Sequence, residues 1–156
     1  MLELGYHSMR RGEEICSLRF DDIQMRPNGK MAILLRRSKT DQYGHGKWIG
    51  FPGSIAPLIE RWKTYLNVTK GPILRGLYKD GSARTNPLRR ASMRQILYGL
   101  QNAAGIEVEN FSSHSFRVGG ALDYLEAGMP IEKIMLKGGW HSGSTVIQYL
   151  RAWEDI

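Results

Sequence analysis

The sequence predicts a mainly α-helical domain with a small antiparallel β-sheet or hairpin, an α+β chain forming a single domain over residues 1–156. Three observations carry this. Apolar residues recur at helical spacing through most of the chain, and two short runs of β-type residues, MAILLRR and KWIGF, flank a turn-rich segment. No repeat, low-complexity tract or obvious linker divides the chain. At 156 residues, with 42% hydrophobic and 10% aromatic content, it is long enough to bury a real core.

In chain order, residues 9–19 (MRRGEEICSLR) read as a first helix, with Arg11, Glu14, Ile15 and Leu18 on one stripe. Two charges heading an apolar stripe need partners or mark a site, because an unpaired charge is costly to bury. Residues 31–37 and 47–51 read as strands joined by SKTDQYGHG, giving a hairpin or a three-stranded sheet. Pro52-Gly53 then breaks the strand and offers Ser54 as an N-cap. Ile55, Leu58, Ile59, Trp62 and Leu66 follow at the spacing of a core helix, and 67–87 reads as loop. A helix over 88–104 sets Met93, Ile96, Leu97, Leu100 and Ala104 on its packed side and Arg89, Arg90 and Arg94 on a cationic one. Gly105 stops it. Further helices are expected over 114–127, 131–137 and 144–153.

Several classes are excluded or disfavoured. No run of about 18 apolar residues is present, so a transmembrane helix is not expected. The N-terminus lacks the charged-then-apolar layout of a signal peptide. Cys16 is the single cysteine, which rules out an internal disulfide and a cysteine-based metal site. A cytoplasmic, nucleoid-associated protein is the expectation. The net charge of +7 favours a polyanionic partner, since each phosphate neutralised by Lys or Arg releases a counterion. Solvated surface lysines would give the same balance.

The densest chemistry lies near the C-terminus. His114 and Arg117, three residues apart, can share a helix face; the Trp140 indole follows Gly138-Gly139, and Tyr149 comes nine residues after Trp140. That ordered set could hold a phosphodiester and attack it with a phenol. Taken singly, each residue has a structural reading too. Tyr149 could be a core tyrosine beside Val146 and Leu150, Lys39 a solvated hairpin lysine, and Arg11 with Glu14 a structural ion pair.

Four segments together resemble the catalytic domain of tyrosine recombinases, the phage integrase family. Arg11-Gly-Glu-Glu14-Ile-Cys-Ser-Leu18-Arg is similar to the family's first arginine box. Arg37-Ser-Lys39-Thr40 is similar to its hairpin lysine segment, and His114-Ser-Phe-Arg117 to its H-x-x-R box. Gly138-Gly139-Trp140 followed by Tyr149 is similar to the last box in its tryptophan form. His141 also follows the glycines, but it stands eight residues before Tyr149, and the family's residue stands nine before, at Trp140.

The resemblance implies a site-specific DNA recombinase or integrase working through a 3′-phosphotyrosyl intermediate, with no cofactor, no metal and no ATP. Arg11 and Arg117 would clamp the phosphate oxygens, whose geometry a guanidinium fork matches. Trp140 would donate a further hydrogen bond, and Glu14 would orient Arg11 from behind. Tyr149 would be the nucleophile, His114 its base or proton shuttle, and Lys39 the acid protonating the leaving 5′-oxygen. Arg89, Arg90 and Arg94 would meet double-stranded DNA, with Arg84 and Lys79 adding phosphate contacts. The resemblance also implies that the family's N-terminal core-binding domain is absent from this chain, and that homo-oligomers form on DNA at full length while the present chain is a monomer. No membrane partner is expected. The alternatives are a catalytically inactive DNA-binding remnant of the same fold and a topoisomerase-like nicking-closing enzyme. A general basic RNA-binding protein has no RNP-like aromatic segment behind it.

Overall fold

In a computed structural model, the structure describes residues 1–38, 41, 43–107 and 111–154; of residues 145, 149, 150 and 152–154 it describes the backbone alone. Seven helices and two small sheets are formed among them: α1 (Leu2–Ser8), α2 (Gly12–Cys16), β1 (Ile23–Met25), β2 (Met31–Leu35), β3 (Lys47–Phe51), α3 (Ala56–Leu66), β4 (Arg75–Leu77), β5 (Ala83–Pro87), α4 (Arg90–Ala103), α5 (Ser113–Glu126), α6 (Ile131–Gly138) and α7 (Gly143–Glu154). The α+β expectation holds, and several local expectations are corrected.

The helix expected over 9–19 is two short helices. Met9 ends α1 in the left-handed region at φ 51°, and Arg11 is extended at the N-cap of α2. A methionine there carries the strain that glycine would avoid, and the fully buried Met9 side chain offsets it by packing with Ala121, Ile134, Trp140 and Val146. The break turns the stripe into a site. Ile15 and Leu18 enter the core while Arg11 is left at the surface end.

The β2–β3 hairpin is flanked by the short β1, which pairs with β2 to give an antiparallel sheet ordered β1-β2-β3. In β3 the side chains of Ile49 and Phe51 point inward and pair with Ile33 and Met31. They join Leu4, Ile15, Leu18, Phe20, Ile55, Ile73, Met93 and Leu97 in the main core. Fully burying such side chains is what drives the sheet against the helices, at about 1.5–3 kcal/mol each.

The stretch expected as loop over 67–87 contains the β4–β5 hairpin. Its strands are mostly exposed, so they carry no alternating apolar signature. Ser54 caps nothing; it sits inside a 3-10 turn, and α3 follows from Ile55 with proline in its first turn. In α4 only Met93, Leu97 and Gln101 are buried, a narrow i, i+4, i+8 line. Ile96 and Leu100 are 41% and 46% exposed along a groove shared with Leu58 and Trp62.

Helices α5, α6 and α7 gather around a second, smaller core of Met9, Ala121, Ile134, Trp140 and Val146. Helix α1 crosses close over α5. A Cβ at Gly120 would meet the Tyr6 carbonyl oxygen at 2.6 Å, so only glycine fits there. The Tyr6 hydroxyl donates to Asp123, which with burial pushes the Tyr6 phenol up to about 12, and His7 meets the Tyr124 hydroxyl at 3.3 Å.

Candidate active site

Three helices begin at one place. The first residues of α2 (Gly12), α4 (Arg90) and α5 (Ser113) converge, and a Cβ at Gly12 would stand 2.8 Å from Ser113 Oγ and 3.6 Å from Arg90 Cγ. Each helix start presents backbone N–H groups with no partner inside the helix, so the convergence creates a positive field. A pocket of about 270 Å³ opens there, lined by Arg11, Gly12, Glu13, Arg90, Ser113, His114, Arg117 and Trp140. Of these, Trp140 belongs to the smaller core, while α2 and α4 are anchored in the main core by Ile15 and Met93.

The guanidinium of Arg117 is 3% exposed. Its Nη1 donates to the Met9 carbonyl at 2.5 Å and the Gly138 carbonyl at 2.6 Å. Its Cζ lies 3.7 Å from the centre of the Trp140 ring, a cation–π stack that fixes both groups on the pocket wall. Trp140 reaches this place because Gly139 at φ 71° ends α6 in a left-handed cap, turning the chain back toward Arg117.

Arg11 is held by Glu14. The carboxylate, 6% exposed, accepts from the Arg11 backbone N–H at 3.2 Å and pairs with its Nη1 at 3.5 Å. Thus one carboxylate fixes both the main chain and the side chain of Arg11.

His114, on the first turn of α5, has its backbone N–H capped by Ser112 Oγ at 3.2 Å. Partial burial, and then the nearby positive charge of Arg117, push its imidazole below the usual histidine value. Both causes disfavour the imidazolium, so His114 is neutral at pH 7 and able to accept a proton.

Of the residues singled out in the sequence, Arg11, His114, Arg117 and Trp140 are therefore brought together, with Glu14 beneath Arg11. Arg90 joins them, although the sequence placed it with Arg89 and Arg94 on the cationic side of its helix. Arg89 and Arg94 are exposed on α4 and line no part of this pocket. Arg84 lies on the β4–β5 hairpin, its guanidinium 4.5 Å over the Tyr78 ring, also away from the pocket. His141 is exposed and not part of the wall. Tyr149 falls within α7, but its side chain lies outside the described residues, as does all of Lys39.

Several residues were not anticipated, Gly12 and Glu13 of the pocket lining among them. Ser113 lines the pocket directly before His114. Arg10 is 3% exposed beneath the Gly138–Trp140 turn, donating to Leu136 O at 3.5 Å, and a Cβ on Gly139 would meet its Nη1 at 2.2 Å. Lys47 donates to the same carbonyl at 2.6 Å, and Lys137 returns a bond to Gly50 O at 2.7 Å. The end of α6 is thus tied to β3 and to the link between α1 and α2, with Lys47 and Arg10 placed at a helix-end carbonyl that has no partner within the helix. The only advance signals were the Arg10-Arg11 doublet and the Gly138-Gly139 pair. Among the described residues, no three His, Cys, Asp or Glu side chains cluster so as to hold a metal ion. No described helix is long and apolar enough to cross a membrane.

The architecture is the tyrosine-recombinase catalytic-domain fold. The structure matches that of XerH site-specific recombinase bound to difH substrate, in its pre-cleavage complex, with a TM-score of 0.74 at 18% identity, covering 96% of this chain and 41% of that one. It matches XerA recombinase with a TM-score of 0.71 at 18% identity, over 94% of this chain and 50% of that one.

The chain belongs to the phage integrase family, whose family model matches residues 1–154. It is 29% identical to recombinase cre of Escherichia phage P1, over 96% of this chain and 48% of the relative. To an integrase/recombinase xerD homolog of Selenomonas ruminantium it is 27% identical, over 96% and 46%. The chain therefore spans about half the length of these relatives.

Proposed function

We propose that this chain is the strand-cleaving and rejoining part of a site-specific DNA recombinase or integrase. The observation that carries the reading is the pocket where Arg11, His114, Arg117 and Trp140 meet at three helix starts. A phosphodiester entering it meets the guanidiniums of Arg11 and Arg117, and transition-state charge on its oxygens is stabilised without reorganisation. Tyr149 Oη attacks phosphorus, the bond to the 5′-oxygen breaks, and the enzyme keeps a 3′-phosphotyrosine. The neutral imidazole of His114 accepts the phenol proton and Lys39 protonates the leaving 5′-oxygen. Attack by a different 5′-hydroxyl reverses the step and exchanges strands with no ATP. Glu14 is a positioning residue acting through Arg11, and Arg84, Arg89, Arg90 and Arg94 supply contacts to the duplex backbone. Assembly into a homo-oligomer on DNA is assigned to the full-length protein.

The test is covalent capture on a nicked suicide duplex carrying the protein's own recombination site. The parent chain is expected to give a protein–DNA adduct stable to denaturation, and Tyr149→Phe to give none. An unchanged adduct in that variant removes Tyr149 as nucleophile. No adduct with the parent, even when the chain is joined to the rest of its protein, favours a DNA-binding remnant.

A pH profile tests His114 separately. Its value is lowered in the folded protein, so the active neutral form is retained at pH 7 and lost only as pH falls through that lowered value, below about 6.5. Single-turnover adduct formation should be level at and above about pH 7 and fall as the pH drops through the lowered His114 value. The acid limb should vanish in His114→Gln. A rate that rises on acidification would exclude the base role.

A further inference from the structure

The three guanidiniums of the pocket are held in different ways. Arg117 is buried and bonded to main-chain carbonyls, and Arg11 is fixed by the nearly buried Glu14. Arg90 is held by an exposed carboxylate. Its Nη1 lies 3.9 Å from Glu13 Oε1, with the two side chains 67% and 78% exposed. The Arg90 stem nonetheless stands at the pocket, its Cγ 3.6 Å from where a Cβ on Gly12 would be. Glu13 and Glu14 are thus neighbours with different fates. One is built into the base of the site, while the other lines the pocket at its mouth, where a DNA phosphate would arrive.

We propose that Arg90 is a phosphate-binding residue of this pocket, and that Glu13 is its counter-ion in the free protein, setting DNA affinity by competing with the backbone phosphate for that guanidinium. The inference rests on the DNA-cleaving reading of the pocket; it moves Arg90 from a general duplex-backbone contact to the phosphate in the pocket, and gives a role to Glu13, which that reading leaves idle. A solvent-exposed ion pair near 4 Å is weak and easily exchanged, whereas a phosphate offers Arg90 two oxygens in the geometry of its fork. Arg90 also opens α4, whose exposed Arg89 and Arg94 lie beside it in sequence. Phosphate capture by Arg90 would therefore seat the cationic face of α4 on the duplex at the moment the pocket fills. Glu13 makes that seating conditional, because a duplex that fails to reach Arg90 meets a carboxylate at the pocket mouth.

The experiment is a double-mutant cycle on binding, in a Tyr149→Phe background so that no covalent product forms. The probe is a fluorescein-labelled 30-base-pair duplex at low salt, read by anisotropy. Glu13→Gln is expected to tighten binding about two- to fivefold, the span of one exposed ion pair. Arg90→Gln is expected to weaken it. The gain from Glu13→Gln should disappear in the Arg90→Gln background and persist in Arg94→Gln, which removes a cation from the same helix outside the pocket. Equal gains in all three backgrounds would mean that Glu13 acts only as general negative charge, and would overturn the proposal while leaving the cleavage reading intact. Arg90→Gln binding as tightly as its parent would overturn it too. A parent that binds no duplex at all defeats both readings, and covalent capture tells which has failed first. Glu13, Arg90 and Arg94 are all exposed, and matching thermal melts exclude misfolding as the source of any change.

Discussion

Arg117→Gln is expected to abolish adduct formation, by about a thousandfold or more, and to cost about 2–4 kcal/mol of stability as well. The two losses have different causes. Arg117 Nη1 serves the Met9 carbonyl, where α1 ends, and the Gly138 carbonyl, where α6 ends. A glutamine is too short to reach both, and a buried carbonyl left unbonded costs about 1–3 kcal/mol. The stack on Trp140 is lost with the guanidinium. Arg117→Lys separates the effects. Its single ammonium can recover one carbonyl and part of the stability, but it cannot present a planar fork to a phosphate, so the adduct should remain absent. Chemical denaturation midpoints and denaturing-gel capture read the two quantities independently. A lysine variant that cleaves like the parent would refute the bidentate clamp, and a glutamine variant of parental stability would refute the structural one.

Much of the site was legible because its residues lie at fixed offsets on single helices. His114 and Arg117 share α5, which the three-residue spacing alone places on one face, and Gly138-Gly139 announces the turn that swings Trp140 inward. The bounds of α5, α6 and α7 were readable to within a residue or so, since glycine or proline flanks each of them. What stayed hidden depended on contacts between distant segments. The break at Met9 has no local signal, because methionine is not a residue that announces a left-handed turn; tertiary burial of its side chain decides it. Strands β4 and β5 escaped notice because they are short, exposed and rich in Arg, Asn and Gly, without period-two burial. Arg10 would be placed in solvent by any rule based on charge, yet the unpartnered carbonyls at the end of α6 draw it inside. Arg90 looked like one of three equivalent arginines on a helix face. Only the packing of Gly12 against Ser113 brings its position, the first of α4, to the pocket rather than to open surface.

Gly138→Ala is expected to be among the most damaging single-methyl additions in the chain, costing about 2–4 kcal/mol. The position is helical, and alanine is the better helix former by up to about 1 kcal/mol, so backbone conformation would favour the change. Space forbids it. A Cβ at residue 138 would stand 1.8 Å from Trp140 Cζ3 and 2.3 Å from Cε3, distances no real contact tolerates. The indole cannot easily yield, because it is 8% exposed, packed with Met9, Ala121, Ile134 and Val146, and stacked beneath the Arg117 guanidinium. The substitution must therefore move Trp140, and with it the wall that faces the phosphate. Loss of stability and loss of adduct should come together, unlike in Arg117→Lys. The origin of the effect can be isolated with Trp140→Ala. In that background the ring is gone, and Gly138→Ala should become neutral or slightly stabilising, so that the two changes combine to far less than their sum. Additive costs across the cycle would mean that the damage comes from the end of α6 itself, and that Gly138 is conserving helix geometry rather than making room for the indole.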